Sequence, residues 1–228
     1  MSEITIQPTA LAYWVQPQER WKLITLILVI LHAVGIAGVL IPIHEDFLLL
    51  TPFNLLTSLS LVLWNHLKWS KHTIIFIVIS FILGYGAEVF GVQTGLLFGE
   101  YVYGPILGWK WMETPLMIGV NWIMVGYVCG ISINYLFPRA HFLIRAVLGA
   151  MGMVAFDVLI EPVAMAYDFW QWEGGVIPLQ NYIGWFWVSL PLQVYFAAYQ
   201  GGIKNKAAIS LFIVQIIFFA ALLVASLS

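Results

Sequence analysis

Seven apolar stretches, each of about twenty residues, constrain this chain more than any other feature; they lie near 22–41, 47–66, 73–92, 115–136, 142–165, 183–200 and 207–227. A helix of that length crosses about 30 Å of hydrocarbon. The stretches are continuously hydrophobic rather than amphipathic, as expected where the backbone must hydrogen-bond to itself for want of water. Of the 228 residues, 62% are hydrophobic and 9% charged, whereas a soluble domain is nearer a quarter charged. The expected fold is all-α: a polytopic integral membrane bundle of about seven transmembrane helices.

The nine Lys and Arg residues give the bundle a direction. Arg20 and Lys22 precede the first span, and Lys68 and Lys71 separate the second from the third. Arg139 and Arg145 flank the fourth-to-fifth turn, and Lys204 and Lys206 precede the seventh span. Alternating spans place these eight on one face and leave Lys110 alone on the other. The positive-inside rule makes the first face cytoplasmic, with the N-terminus inside. Glu45, Asp46, Glu100, Glu113, Asp168 and Glu173 then fall on outer loops. Residues 1–21 hold Pro8, Pro17, Glu3 and Glu19 but no apolar core. They are expected to be an N-terminal cytoplasmic tail, with the first span acting as an uncleaved insertion signal. Residues 22–228 show no internal repeat and no long linker, so a single transmembrane helical domain is expected. The inner turns are short, whereas the outer loops 93–114 and 166–182 are long and aromatic.

Direction fixes depth. In "GMVAFDVLIEPVAMAYDFWQWEGG", residues 152–175, Asp157 and Glu161 sit inside a span, and with Glu88 they fall in its outer half. Asn121 and Asn181 come to a similar level on two other spans, so polar groups from four helices converge beneath the two outer loops. Residues four apart share a helix face with Cβ atoms about 5–6 Å apart, so Asp157 and Glu161 point the same way. Pro162 has no N–H to offer the Val158 carbonyl, and a kink beside the pair is expected. A carboxylate at mid-membrane costs about 2.5–3.5 kcal/mol. Three of them with no basic residue at their depth cannot all be ionised; one keeps its proton as a donor, and a neighbour serves as base.

Each of these features also has a plainer reading. Intramembrane acids and asparagines can hydrogen-bond across helices as glue. The GxxxGxxxG spacing of Gly91, Gly95 and Gly99 points to close helix packing. Tyr101, Tyr103, Trp109, Trp111, Trp170, Trp172, Trp185 and Trp187 form either an interfacial belt or a cage whose ring faces stabilise a cation.

Several classes fall away. A net charge of −2 gives no electrostatic footprint for nucleic acid. Cys129 is the single cysteine, so there is neither a disulfide framework nor a cysteine metal site. The last span has no lysine for a retinal Schiff base. His32, His44, His66, His72 and His141 are scattered, mostly near span ends, and read as solvated rather than as metal ligands. No aspartate-rich diphosphate motif or glycine-rich phosphate loop occurs, and no Ser or Cys is placed beside a His as a nucleophile. What remains is acid–base chemistry on a lipophilic substrate. A trisubstituted alkene suits it: protonation gives a tertiary carbocation, which an activated water captures as an alcohol.

The segments "GYGAEVFGVQTGLLFGEYVYG" (84–104), "PLMIGVNWIMV" (115–125) and "FDVLIEPVAMAYDFWQWEGGVIPLQNYIGWF" (156–186) carry a resemblance. The chain resembles the carotenoid-biosynthesis hydratase family of integral membrane proteins, the group of gamma-carotene 1',2'-hydratases and bisanhydrobacterioruberin hydratases, over roughly residues 84–190. The resemblance implies a cofactor-independent hydro-lyase that adds water across the terminal 1,2 double bond of an acyclic carotenoid end group such as that of lycopene or gamma-carotene. It also implies the lipid bilayer of a prokaryotic inner membrane as its setting and other carotenoid-pathway enzymes as partners. Asp157, Glu161 and Glu88 are then the candidate catalytic residues, with acid and base labels exchangeable. Asn121 and Asn181 would position water, and Tyr101, Tyr103, Trp122, Asp168, Trp170 and Trp185 would line the substrate site. Two alternatives stay open: a carotenoid cyclase, in which a nearby double bond captures the cation, and a carotenoid-binding or proton-conducting protein without catalysis.

Overall fold

Every apolar run becomes a helix in the structure, a computed structural model that describes residues 16–41 and 44–227. The helices are α1 (Arg20–Leu40), α2 (Thr51–Trp64), α3 (Lys71–Thr94), α4 (Leu116–Leu136), α5 (Phe142–Ala166), α6 (Leu179–Tyr199) and α7 (Lys206–Ser226). Most of the expected tail, residues 1–15, lies outside the described residues. The second span differs most from expectation: a 3-10 helix, Glu45–Leu50, precedes α2. Pro52 explains the break, since a residue without an N–H fits only the first turn of an α-helix. Pro162 does not end α5, which runs continuously through it. Ser70 and Asn205 cap α3 and α7 by accepting from the backbone N–H of Thr73 and Ala208.

Among the described residues six spans are long and apolar enough to cross a membrane, the second being the 3-10 helix and α2 taken together, Asp46–Trp64. The exception is α6, which carries no charge but is diluted by Gln180, Asn181, Gln193 and its tryptophans and tyrosines. The central helix is α4, buried along most of its length, with α3 and α5 beside it. Around it α5 packs along α6, and α1 along α7. Close approach rather than exclusion of water holds such helices together in lipid. At Gly84 of α3 a Cβ would overlap Trp122 of α4, so the smallest residue admits the largest ring.

The cationic ends of the helices meet at one end of the bundle. Arg20 lies 4.7 Å from the Trp64 ring centroid and Lys206 4.8 Å from that of Trp21. Asn65 donates to Asn205 at 2.8 Å, and Arg145 to Asn134 at 3.0 Å. His66 is buried there against the Tyr127 hydroxyl at 2.7 Å.

The opposite end is closed by two small sheets formed within the outer loops. β1 (Tyr101–Tyr103) pairs antiparallel with β4 (Trp170–Trp172), and β2 (Lys110–Trp111) forms a hairpin with β3 (Thr114–Pro115). The hairpin turns through Met112 and Glu113 at φ of 50° and 60°. Tyr85 steadies it by donating to the Trp111 and Thr114 carbonyls at 3.0 Å each. The expected glycine stripe is not one: α3 ends at Thr94, where Gly95 takes a left-handed φ of 66°. The chain thus leaves the helix at Gly95, and Phe98 and Tyr101 fold back against Gly91.

Candidate active site

Asp157 and Glu161 stand one turn apart on α5, both buried to 2% exposure. The close packing of α6 on α5 sets Asn181 across them. Its Nδ2 donates to Asp157 Oδ2 at 2.8 Å and to Glu161 Oε1 at 3.1 Å. One amide therefore bridges both acids.

The sheet above supplies the remaining donors. Glu161 Oε2 accepts from Trp170 Nε1 at 2.9 Å and from Trp172 Nε1 at 2.6 Å, both on β4. Glu88 Oε2 accepts from the Tyr101 and Tyr103 hydroxyls at 2.6 and 2.7 Å, both on β1, and its Oε1 from Trp122 Nε1 at 3.1 Å. The register Tyr101↔Trp172 and Tyr103↔Trp170 explains the arrangement. Alternate strand residues share a face, so two tyrosines and two tryptophans point toward the acids while Val102 and Gln171 point away. Flanking bonds from Glu173 N–H to the Glu100 carbonyl and from Gly104 N–H to the Phe169 carbonyl, 2.9 Å each, pin the register. Lys110 donates to the Tyr103 carbonyl and ties the hairpin to the same sheet.

The three carboxylates are unequally served: Glu88 accepts three hydrogen bonds, Glu161 three, and Asp157 one. Hydrogen bonds favour the ionised form of the acid that accepts them. The ion pairs among the described residues, Lys22–Glu19 and His44–Asp46, involve none of the three. Burial, and then the adjacent Glu88, push the Tyr101 and Tyr103 phenols well above their usual range, so both remain donors. Among the described residues no group of three His, Cys, Asp or Glu side chains is arranged to hold a metal ion.

The acids open into a cavity of about 310 Å³ that is otherwise largely apolar. Asn121 lines it with its Oδ1 buried and without a hydrogen-bond partner. Trp122 and Trp185 stack along its wall, centroids 4.3 Å apart and planes 16° from parallel. Asp157, Glu161, Glu88, Asn121, Asn181, Tyr101, Tyr103, Trp122, Trp170 and Trp185 all face this one space. Asp168 does not: it is exposed in the α5–β4 turn with φ of 58°, and its Oδ1 accepts from Gln171 at 3.2 Å. Its place is in the turn that starts β4, and a sequence shows depth but not that a turn directs a side chain outward.

The aromatics divide between the two readings. Trp109, Trp111 and Trp187 are exposed on the surface, whereas Tyr101, Tyr103, Trp170 and Trp172 roof the acids. Trp172, named in the sequence only among belt or cage aromatics, is a donor to Glu161, and the alternation W-Q-W is its sequence signal. His32 and Gln215 also line the cavity, from α1 and α7. His32 is not solvated at a span end: it is buried within α1, bonded from Nδ1 to the Leu28 carbonyl at 2.8 Å and set edge-on to Phe218. Nothing local in the sequence marked either residue, because their role depends on which helix packs beside them.

A bisanhydrobacterioruberin hydratase of Haloarcula japonica is 29% identical over 120 residues, a match covering 44% of this chain and 36% of the relative. The chain thus corresponds to little more than a third of that relative's length. No solved structure matches it. Residues 48–228, from just before α2 to beyond α7 and so including every acid, amide and strand of the site, match the family described as carotenoid biosynthesis protein, and the chain belongs to that family.

Proposed function

We propose that this protein is a carotenoid 1,2-hydratase, a hydro-lyase that adds water across the terminal C=C of an acyclic carotenoid end group to give a tertiary 1-hydroxy carotenoid. The observation that carries the reading is the unequal hydrogen bonding of three buried carboxylates around one apolar cavity. Asp157, with a single donor, keeps its proton and is the general acid. Its O–H protonates C2 of the alkene, and the electron pair of the double bond forms the new C–H bond, leaving a tertiary cation at C1. The carboxyl oxygens of Glu88, fixed in place by Tyr101, Tyr103 and Trp122, and the stacked faces of Trp122 and Trp185 lower the energy of that cation. The free Oδ1 of Asn121 accepts from the incoming water, which forms the C–O bond. Glu161 takes the proton that the water releases and, sharing a helix face and the Asn181 amide with Asp157, returns it there. No cofactor takes part in this scheme. The name of the Haloarcula japonica relative supports the same reaction class, and the cations gathered at one end of the bundle support an orientation with the acids in the outer half of the membrane, which we take to be a prokaryotic inner membrane.

The test is expression in a bacterium that accumulates lycopene or gamma-carotene, with chromatography and mass spectrometry of the extracted pigments. A more polar pigment, heavier by one water and with its chromophore unchanged, is expected. A product of unchanged mass and shortened chromophore would make the protein a cyclase. No product from any acyclic carotenoid would leave a carotenoid-binding protein.

A further inference from the structure

Among the described residues, the largely exposed part of the cavity's lining is confined to a few apolar side chains. The cavity's outer end is roofed by Tyr101, Tyr103 and Trp172, all buried. Its back is α4, where Trp122, Met124 and Val125 are buried. Three lining residues, however, are largely exposed: Val34 of α1 at 54%, Leu50 at 58% just before α2, and Phe53 of α2 at 67%. They lie together on the flank between α1 and α2, where α1 packs chiefly on α7 rather than on α2. All three are apolar, and the polar neighbours between and beside them bond locally, Thr51 donating to the Leu48 carbonyl at 2.6 Å and Asn54 accepting from the Ser58 hydroxyl at 3.2 Å, whereas the three acids with Asn121 and Asn181 occupy the closed end. At about 310 Å³ the space is at the small end of the roughly 300–1,000 Å³ of ligand pockets. It accommodates one end of a long hydrocarbon and not its length.

Resting on the hydratase reading, we propose that the substrate binds end-on from within the bilayer: the acyclic end group reaches the acids, and the polyene chain leaves sideways between α1 and α2, past Val34, Leu50 and Phe53, into lipid. A roof of aromatic side chains and an apolar side door suit a ligand that never enters water. The arrangement gives the enzyme strict demands on the end group and loose ones on what lies beyond it. It also assigns a binding role to α1, which carries no acid, amide or strand of the site.

The test uses the full chain in lipid nanodiscs and a cysteine introduced at Val34, which is exposed, while the native Cys129 is buried and escapes labelling. The same protein with Ile82→Cys, exposed on α3 and away from the cavity, is the control. Each variant is assayed before and after modification with a bulky maleimide, so that blockage follows folding. Two substrates are compared: a full-length acyclic carotenoid and a short acyclic isoprenoid hydrocarbon with the same terminal alkene. Modification of Val34→Cys is expected to lower turnover of the carotenoid at least tenfold and that of the short hydrocarbon less than threefold, and modification of Ile82→Cys to change neither. Equal loss of both substrates at Val34→Cys, or no loss of either, would overturn the side door and leave the hydratase reading standing. If the unmodified protein hydrates neither, the function falls instead, and a fluorescent maleimide decides the portal. Stronger quenching by the polyene at Val34→Cys than at Ile82→Cys supports it, and equal quenching sinks it.

Discussion

Asp157 and Glu161 share a helix face, a burial and an amide, yet Glu161 has two indole donors that Asp157 lacks. In the proposed mechanism that difference separates acid from base, and single substitutions test it. Replacing Asp157 by Asn removes the proton donor and keeps the shape, so turnover is expected to fall by about 10²–10⁴-fold. Trp172→Phe keeps an aromatic ring, though a smaller one, in the roof and removes the 2.6 Å donor to Glu161. A hydrogen bond to a charged group contributes about 1.5–3 kcal/mol, so kcat/KM is expected to fall roughly 10- to 100-fold while the protein stays folded. Tyr101 and Tyr103 make a further prediction. Their phenols titrate higher when folded than unfolded, so the folded state holds protons that the unfolded state releases above pH of about 10. The two phenols therefore stay protonated through the neutral range, and the stability they contribute falls as pH rises past that value. In an absorbance titration of tyrosinate, Tyr101→Phe/Tyr103→Phe removes only signal that appears late; loss of an early-titrating component would contradict the assignment.

The element that organises the site is the two-stranded sheet, not any one helix. Strands of three residues, one from each outer loop, set four aromatic donors over two acids only because Val102 and Gln171 face outward in register. Val102 lies midway between the two flanking backbone bonds, at a position that exchanges hydrogen bonds with Gln171. Val102→Pro removes its N–H and is expected to lower activity by about 100-fold without touching any acid, because the ladder no longer holds the strand. Val102→Thr, with a β-branched side chain on the same outward face, is expected to retain it. Tryptophan fluorescence in membranes reports the roof: a changed spectrum in the proline variant and an unchanged one in the threonine variant are the expected pair.

For the molecule as a whole, the helix ends that carry cations are clustered, and the sheet lies at the other end. The charge bias therefore predicts on which side of the membrane the active-site roof lies. Val176→Cys, exposed beyond β4, is expected to react with an impermeant maleimide in intact cells. Gly202→Cys, at the cationic end where an added Cβ meets nothing, is expected to react only after the membrane is opened. The reverse pattern would place the acids in the inner half and overturn the orientation.

Much of the fold was legible because it is local. Hydrophobic length locates a helix, and alternation of seven of them against the Lys and Arg positions brings Glu88, Asp157, Glu161, Asn121 and Asn181 to one level without knowledge of any contact. The start of α2 was misplaced because Pro52 breaks a stretch that hydropathy alone reads as continuous. What the chain could not show by itself is how distant segments meet. Tyr101 and Trp172 are opposite one another through a strand register, Asn181 reaches two acids through the packing of α6 on α5, and His32 and Gln215 become cavity wall through the packing of α7 on α4 and of α1 on α7. Asp168, at the expected depth, turned outward on a left-handed backbone. Depth follows from hydropathy along one helix, whereas which face a side chain presents, and to what, is decided by contacts between helices and strands far apart in the sequence.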